Sequence, residues 1–217
     1  SKEELKVKEL NAIKKLFNVR FCDEDDVDDL LNIIYSQNEE FRKVYNFEKL
    51  EEDFASNAAQ WFVLETQAPE ECLLLAARFY SGEDSRIVQV FADKQLDLLT
   101  TAKTRIMNYF ILQLQTVCHN LLYSEIIIEV AATESDFLQI LENYLFFDSG
   151  GYLIGSSLMV LQFKKQIATE AELLGNDLQY EEIVTAGPLQ DVSEMTNLIN
   201  DLFAALRKSA EFNPDVK

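Results

Sequence analysis

The residues that could hold a ligand open a long predicted helix near the middle of the chain. They combine hydroxyls, one small side chain and one cation at a helix N-terminus, where free N–H groups and the helix dipole attract anions. These candidate ligand-binding residues are Thr100, Thr101, Ala102, Lys103 and Thr104. Arg105 adds a second cation in the same turn. The pattern is compatible with an anion site in which side chains assist the backbone.

The loop before that helix argues against such a site. No glycine occurs between Glu83 and Ser149, whereas phosphate-binding loops use glycine to bring the backbone close to the anion. Asp93 and Asp97 add negative charge where a phosphate would lie. The alternative interpretation is a solvated helix start whose two cations balance these acids.

Two predicted strands and the long helix position these residues. The predicted elements are a strand at 86–92, a loop at 93–100, a helix at 101–121 and a strand at 123–130. A strand–helix–strand unit of this length is a right-handed crossover between parallel strands, so the loop and the helix start meet beside the sheet. Leu96, Leu98 and Leu99 lie in the loop. If these leucines are exposed, they would form a contact with another protein. If the loop instead continues the helix, they are packed in the core.

The other segments complete an α+β fold, an α/β sandwich in which helices flank a mixed sheet. A strand at 17–22 precedes two helices, and a meander of three strands leads into the central unit. A helix from Ser135, a turn at Asp148–Gly151 and closing strands follow, giving the order β-α-α-β-β-β-α-β-α-β. The predicted domains are a helical leader at 1–16, the main domain at 17–165 and a C-terminal extension at 166–217.

Metal and disulfide chemistry are not expected. Cys22, Cys72 and Cys118 are far apart, and none belongs to a Cys-x-x-Cys motif. The single histidine does not favour a His-rich metal site or a Ser-His-Asp triad. The cysteines are therefore predicted to be reduced thiols, and no metal ligand is assigned.

The formal net charge of −19 restricts the choice of partners. Nucleic acid and anionic membranes are not expected, because contact with phosphates requires clustered Lys and Arg. A protein partner with a basic surface is favoured. The 48% hydrophobic content supports a packed core, and no apolar run approaches the roughly 20 residues of a membrane span. We therefore expect an intracellular, cytoplasmic protein.

Two patches of sequence and the element order resemble a known family. The patches are Val19–Ile34 (VRFCDEDDVDDLLNII) and Leu141–Tyr152 (LENYLFFDSGGY). The first is similar to the opening strand and helix of the GNAT acyltransferases, and the second to their late helix and the turn after it. The resemblance covers about residues 17–165 and implies the GNAT fold.

The resemblance also implies where a cofactor and a catalytic pair would lie. GNAT enzymes hold acyl-CoA in a Gln/Arg-x-x-Gly-x-Gly/Ala turn, and residues 97–105 of this chain lack its glycines. No cofactor is therefore expected, unless acetyl-CoA binds through residues 100–104. Acetylation uses a general base and often a tyrosine acid. Tyr144 is the candidate acid, and its alternative role is that of a half-buried packing residue. Glu65 is the candidate base, and Glu129 lies on another strand where a base could lie; the alternative for each is a solvent-facing or paired position.

The C-terminal extension contains an apolar stripe at helical spacing. Residues 181–208 repeat the pattern of the opening strand and helix, either as the start of a second GNAT-like repeat or by chance. The stripe must be buried against some surface, which makes it a candidate partner contact. Its residues are Val192, Met195, Leu198, Ile199, Leu202 and Leu206.

Two functions are compatible with these features. The missing glycines and the acidic loop favour a non-catalytic protein-interaction or assembly module that has lost acyl-CoA binding. The superfamily includes such uses, in ornithine decarboxylase antizyme and in tandem degenerate domains of a cilium-associated protein. The latter adds a cytoskeletal or ciliary location as an alternative. The second function is an acetyl-CoA-dependent N-acetyltransferase acting on a cationic amine, such as a Lys-rich peptide or a polyamine.

Overall fold

The computed structural model describes residues 2–67, 71–82, 86–99 and 101–167, and the single positions 197, 200 and 204. Helices α1 to α5 are Lys2–Leu16, Val27–Gln37, Phe47–Ser56, Thr101–Asn120 and Ser135–Asn143. Strands β1 to β7 are Phe17–Phe21, Ala59–Thr66, Leu73–Ser81, Arg86–Ala92, Glu125–Ala131, Phe147–Ile154 and Leu158–Gln166. Short 3-10 helices at Glu24–Asp26, Glu39–Lys43 and Lys94–Leu99 lie in the connections.

The seven strands form one mixed sheet in the order β1-β2-β3-β4-β5-β7-β6. The neighbours β4 and β5 are parallel, and α4 connects them. Their pairing stops at Gln89 and Glu129, although β4 continues to Ala92 and β5 to Ala131. The two strands therefore diverge beyond that pair. We call the gap between their C-terminal ends the fork.

Each face of the sheet is covered by its own hydrophobic core. Helices α1, α4 and α5 pack on one face, and α2 and α3 pack on the other. Because successive strand residues point to opposite faces, Val90 of β4 joins the first core and Phe91 joins the second. Ile13 of α1 is fully buried, so the predicted leader helix belongs to the packed body. Burying one such side chain stabilises the fold by about 1.5–3 kcal/mol.

The predicted α+β class and the central strand–helix–strand unit are confirmed. Strand β4 has the predicted bounds, and α4 and β5 differ from the prediction by one or two residues at their ends. The loop predicted at 93–100 contains a 3-10 helix instead, at Lys94–Leu99. Two of its leucines are buried, and this burial stabilises helical structure where the sequence indicated a wet loop.

The turn predicted at Asp148–Gly151 is wrong, because these residues lie inside β6. Between Asp148 and Gly150 the strand has a β-bulge, and Gly150 has a φ of +131° there. A Cβ on Gly151 would lie 2.5 Å from the Val160 carbonyl oxygen, so this glycine permits the close approach of β7. The glycine pair therefore shapes a strand.

Residues beyond Ile167 fall outside the described residues, apart from the three single positions. The predicted repeat at 181–208 and the apolar stripe therefore remain predictions, as do the domain boundaries. The Ile167 N–H donates to the Ser124 carbonyl at 2.9 Å, which fixes the point where the chain leaves β7. None of the helices in the described ranges is both long and apolar enough to cross a lipid bilayer.

The connection after α4 gives a stability prediction. Leu122 has a φ of 60° and is 65% exposed, and the left-handed region disfavours a residue with a Cβ by about 1–2 kcal/mol. Leu122→Gly should therefore raise the free energy of unfolding by about 1 kcal/mol in urea denaturation. The control is Leu121→Gly, because Leu121 is exposed but does not have a positive φ. Equal stabilisation by both changes would contradict this explanation.

Candidate functional site

The segment that leads from β4 towards α4, residues 92–96, has its backbone donors engaged inside the protein. Five successive N–H groups each donate to an acceptor of the chain. The pairs are Ala92 N to Gln37 Oε1 (2.7 Å), Asp93 N to Leu74 O (2.9 Å), Lys94 N to Ser36 Oγ (3.2 Å), Gln95 N to Asp93 Oδ1 (2.9 Å) and Leu96 N to Asp93 O (3.0 Å). A phosphate could bind these groups only by displacing those acceptors.

Asp93 organises this turn. Its side chain accepts from the second N–H after it, as in an Asx turn, and its carbonyl accepts from the third. Burial raises the pKa of the Asp93 carboxyl above its ordinary value, and hydrogen bonds from Gln95 and Ser36 oppose that rise. The turn is thus formed by a side chain, at the place where phosphate-binding loops use glycine.

Hydrophobic side chains anchor the 3-10 helix that follows. Leu96, Leu99 and Ala102 are fully buried in the core beneath α4. Leu98 points away from that core and is 53% exposed. Of the two alternatives for the three leucines, packing therefore holds for Leu96 and Leu99, and only Leu98 is left for a surface contact.

The two cations of the first turn of α4 are held by carboxylates. Lys103 Nζ lies 2.6 Å from Asp97 Oδ1 and 3.3 Å from Asp136 Oδ2. Burial lowers the pKa of Lys103, but the hydrogen bond from Asp97 and nearby acids outweigh it and raise the pKa above its ordinary value. Arg105, which is buried, lies 2.5 Å from Glu9 of α1. Both cations therefore help to fix α4 in place.

The remaining candidate ligand-binding residues lie beside them. Thr101 begins α4, and Thr104 follows in its first turn. Thr100 lies outside the described residues. The described members of the predicted set, Thr101 to Thr104, thus lie in the first turn of α4, and their cation Lys103 is paired with acids on two sides.

A second polar cluster lies at the fork, on the sheet face covered by α2 and α3. Glu129, at the last β4–β5 pair, is only 1% exposed. Its Oε1 accepts from the Tyr80 hydroxyl at 2.7 Å, and its Oε2 accepts from the Gln162 amide at 3.1 Å. Gln89 of β4 is paired with Glu129 of β5, and its side-chain amide donates to the Tyr152 hydroxyl at 3.2 Å. The neighbouring strands therefore contribute to one cluster around a buried carboxylate.

Burial and the carboxylate keep the tyrosines of this cluster protonated. Burial raises the pKa of Tyr80 and of Tyr152 well above the ordinary range, and the charge of Glu129 adds to the rise. Both hydroxyls are therefore hydrogen-bond donors at neutral pH. Tyr152 is 37% exposed and connects the cluster with solvent.

Next to this cluster, on the same face of the sheet, the buried charges of Arg78 and Asp53 neutralise each other in an ion pair. Arg78 donates to both oxygens of Asp53, at 2.7 Å and 2.9 Å, and Trp61 donates to Asp53 Oδ2 at 2.9 Å. Gln89 accepts from Tyr45 and from Arg78, which links this pair to the cluster at the fork. Arg78 is paired with Asp53, whereas Glu129 accepts from the neutral donors Tyr80 and Gln162.

Two of the catalytic candidates from the sequence, Glu65 and Tyr144, do not join this cluster. Glu65 accepts from Arg20 Nε at 3.0 Å, and Arg20 also binds Asp26. Tyr144 is 4% exposed in the core on the opposite face of the sheet, so it is buried and not half-buried. The sequence indicates Glu129 as a strand residue where a base could lie, but not its partners, because Tyr80 and Gln162 are distant along the chain.

The arrangement at the fork can bind a cation or accept a proton. A buried carboxylate with phenol donors on one side stabilises positive charge in a bound group. Within the described ranges, no group of three or more His, Cys, Asp and Glu side chains is placed to hold a metal ion. What the geometry offers is a carboxylate that accepts hydrogen bonds, with Tyr80 and Gln162 as its present donors.

Solved structures share this fold. A spermidine N-acetyltransferase from Vibrio cholerae, in complex with CoA and spermine, has a TM-score of 0.53 at 15% identity, over 74% of this chain and 99% of its own. A spermidine N-acetyltransferase SpeG chimera from Vibrio cholerae and hSSAT has a TM-score of 0.54 at 15% identity, over 74% of this chain and 99% of its own. An N-acetyltransferase from Staphylococcus aureus Mu50 has a TM-score of 0.50 at 13% identity, over 69% of this chain and 98% of its own. The chain therefore has the GNAT fold. By sequence, neither a protein-family model nor a curated relative matches it.

The buried turn residue gives a pH-dependent prediction. Asp93→Asn keeps an oxygen acceptor for Gln95 and Ser36 but removes a buried charge. The folded-state pKa of Asp93 lies above its unfolded value, so the wild-type carboxyl loses stability as the pH rises through the folded-state pKa. The variant should therefore be more stable at neutral pH, and the gain should shrink towards about pH 4.

Urea denaturation at several pH values measures this effect. Asp97→Asn is the matched control, because the Asp97 side chain is 60% exposed and pairs with Lys103. That control should not be stabilised at neutral pH. A stability gain in Asp93→Asn that does not change with pH, or a loss at neutral pH, would refute the role assigned to the buried carboxyl.

Proposed function

We propose that this chain is a non-catalytic GNAT-like protein-interaction or assembly module that does not bind acyl-CoA. The observation that carries the proposal is the set of five engaged N–H groups at residues 92–96. These groups lie in the turn that leads to the candidate residues 100–104, and a diphosphate held there could recruit them only by replacing neutral and charged acceptors that are already in place. The gain from new bonds would then be offset by the bonds that are lost.

Packing and charge support the same proposal. Leu96 and Leu99 tie the 3-10 helix to the core, so opening it would expose apolar surface. Asp97 and Asp136 surround the ammonium of Lys103, and a phosphate would have to compete with both. These contacts favour a helix start that serves stability.

A protein partner with a basic surface fits the exposed face of α2 and α3. Acids are exposed in the turn before α2, in its first turn and along α3. These residues are Asp23, Glu24, Asp25, Asp28, Asp29, Glu48, Glu51 and Glu52. We propose that this face and the stripe of the C-terminal extension take part in the interaction, in the cytoplasm or, alternatively, on a cytoskeletal or ciliary structure. Nucleic acid and membrane surfaces are not proposed as partners.

The cluster at the fork favours a second candidate function, acetyl-CoA-dependent N-acetylation of a cationic amine. Glu129 would take a proton from the amine nitrogen, which would then attack the thioester carbonyl. The departing thiolate would take a proton from a tyrosine hydroxyl, of which Tyr152 is the partly exposed one, and the second proton lost by the nitrogen would restore that tyrosine through solvent. The Vibrio cholerae enzyme of the same fold is in complex with CoA and spermine. A polyamine or a Lys-rich peptide would be the substrate here.

A calorimetric and thermal-shift titration with acetyl-CoA separates the two functions. The module should show no binding heat and no change in melting temperature. A ligand present at 100 times its Kd would stabilise the folded chain by about 2.7 kcal/mol, which is readily detected. The same samples are tested for acetylation of spermidine and of a Lys-rich peptide.

Matched variants locate any binding that is observed. Lys103→Glu alters the proposed phosphate end, and Lys43→Glu makes the same charge change on an exposed lysine that pairs with Glu40. Stabilisation by acetyl-CoA that is lost in Lys103→Glu and kept in Lys43→Glu would disprove the module. Acetylation that is lost in Glu129→Gln would establish the enzyme in its place.

A further inference from the structure

Exposed apolar side chains are concentrated on one hairpin. Twelve large hydrophobic residues of the described ranges are exposed, and five of them lie within fifteen residues of sequence on β6, β7 and the turn before β6. These five are Leu145 (80% exposed), Phe147 (53%), Tyr152 (37%), Leu153 (59%) and Met159 (39%). Such a concentration on a monomer surface is typical of a contact site.

The same hairpin supplies an open edge of the sheet. Strand β6 is the last strand in the sheet order, and among the described strands it pairs only with β7. Its residues from Phe147 to Leu153 are all exposed. Edge strands of monomeric proteins are usually protected by Lys, Pro, short length or a cover. β6 has eight residues and contains no Lys, Arg or Pro.

The opposite edge of the sheet is protected in the usual way. Strand β1 has only five residues and includes Arg20. That arginine is held by ion pairs with Asp26 and Glu65. The difference shows that exposure of β6 is a property of this edge and not of both edges.

Charge distinguishes the hairpin from the rest of the surface. Between Leu145 and Phe163 the chain has one charged residue, Asp148, whereas 26% of the whole chain is charged. Two molecules that each carry a net charge of −19 repel one another at most orientations. Contact through this nearly uncharged hairpin keeps their acidic faces apart.

We propose that β6 pairs in antiparallel fashion with β6 of a second copy of this chain, so that two seven-stranded sheets become continuous. Antiparallel pairing of a strand with itself is self-complementary, so one edge satisfies the open N–H and C=O groups of both copies. The bulge between Asp148 and Gly150 disturbs the first part of the strand, which leaves Gly151–Ile154 as the regular part of the edge.

The flanking side chains make this contact apolar on both faces of the sheet. Leu153 lies beside Met159 on one face, and Tyr152 lies on the other with Phe147. A second copy would bring the same four side chains to the opposite side of a two-fold axis. Their burial supplies the stabilisation that a short edge pairing lacks. This inference does not depend on the proposed function.

Sedimentation velocity of the full chain over a range of concentrations tests the proposal. Wild type should form a dimer, and Leu153→Lys should raise its dissociation constant by about 30-fold or more, as for a central apolar anchor. Val7→Lys is the matched control, because Val7 is 56% exposed on α1. Lysine reduces the net negative charge equally in both variants, so a loss of dimer in Leu153→Lys alone is a local effect.

Salt dependence and a second variant complete the test. Added salt screens the repulsion between two acidic copies, so the dimer should become tighter, whereas a contact between acidic and basic surfaces would weaken. If Leu153→Lys does not fold, as judged by its melting curve, Met159→Lys takes its place. A chain that is monomeric at all concentrations, or a dimer that survives Leu153→Lys or its substitute Met159→Lys, would overturn the proposal.

Discussion

The structure depends on how the backbone N–H groups at the end of β4 are bonded. Buried donors must find acceptors, and here Gln37, Ser36 and Asp93 supply most of them from within the chain. This bonding fixes the turn after β4 and starts the 3-10 helix, which places Leu96 and Leu99 in the core. The position and the packing of α4 follow from that arrangement.

The two faces of the sheet at the fork therefore differ in their chemistry. On the side of α4, apolar packing of Leu96 and Leu99 and the paired charges of Lys103 and Arg105 hold the start of the helix. On the side of α2 and α3, Glu129 and its phenol neighbours form a polar cluster that reaches solvent at Tyr152. The fold alone does not decide between the two proposed functions, because function depends on the residues of the site. The engaged backbone donors of residues 92–96 are the reason to favour the proposed interaction module over the proposed enzyme.

The sequence was sufficient for the central strand–helix–strand unit but not for the site. Periodicity located β4 and α4, because alternating and helical apolar patterns are local signals. The segment predicted as a loop after β4 contains a turn and a 3-10 helix at Lys94–Leu99. The acceptors of that turn could not be predicted, because Gln37 and Ala92 are 55 residues apart. In the same way, both Glu65 and Glu129 lie on strands, and only the fold shows that Arg20 pairs with the first and Tyr80 with the second.

Backbone NMR of the isotope-labelled chain tests the central claim most directly, since it observes the amides of residues 92–96 one by one. With these donors bonded internally, their hydrogens should exchange slowly, and millimolar acetyl-CoA should leave their chemical shifts unchanged. Fast exchange of these amides in the free chain, or shifts on addition of acetyl-CoA that are confined to them and to the first turn of α4, would contradict the account.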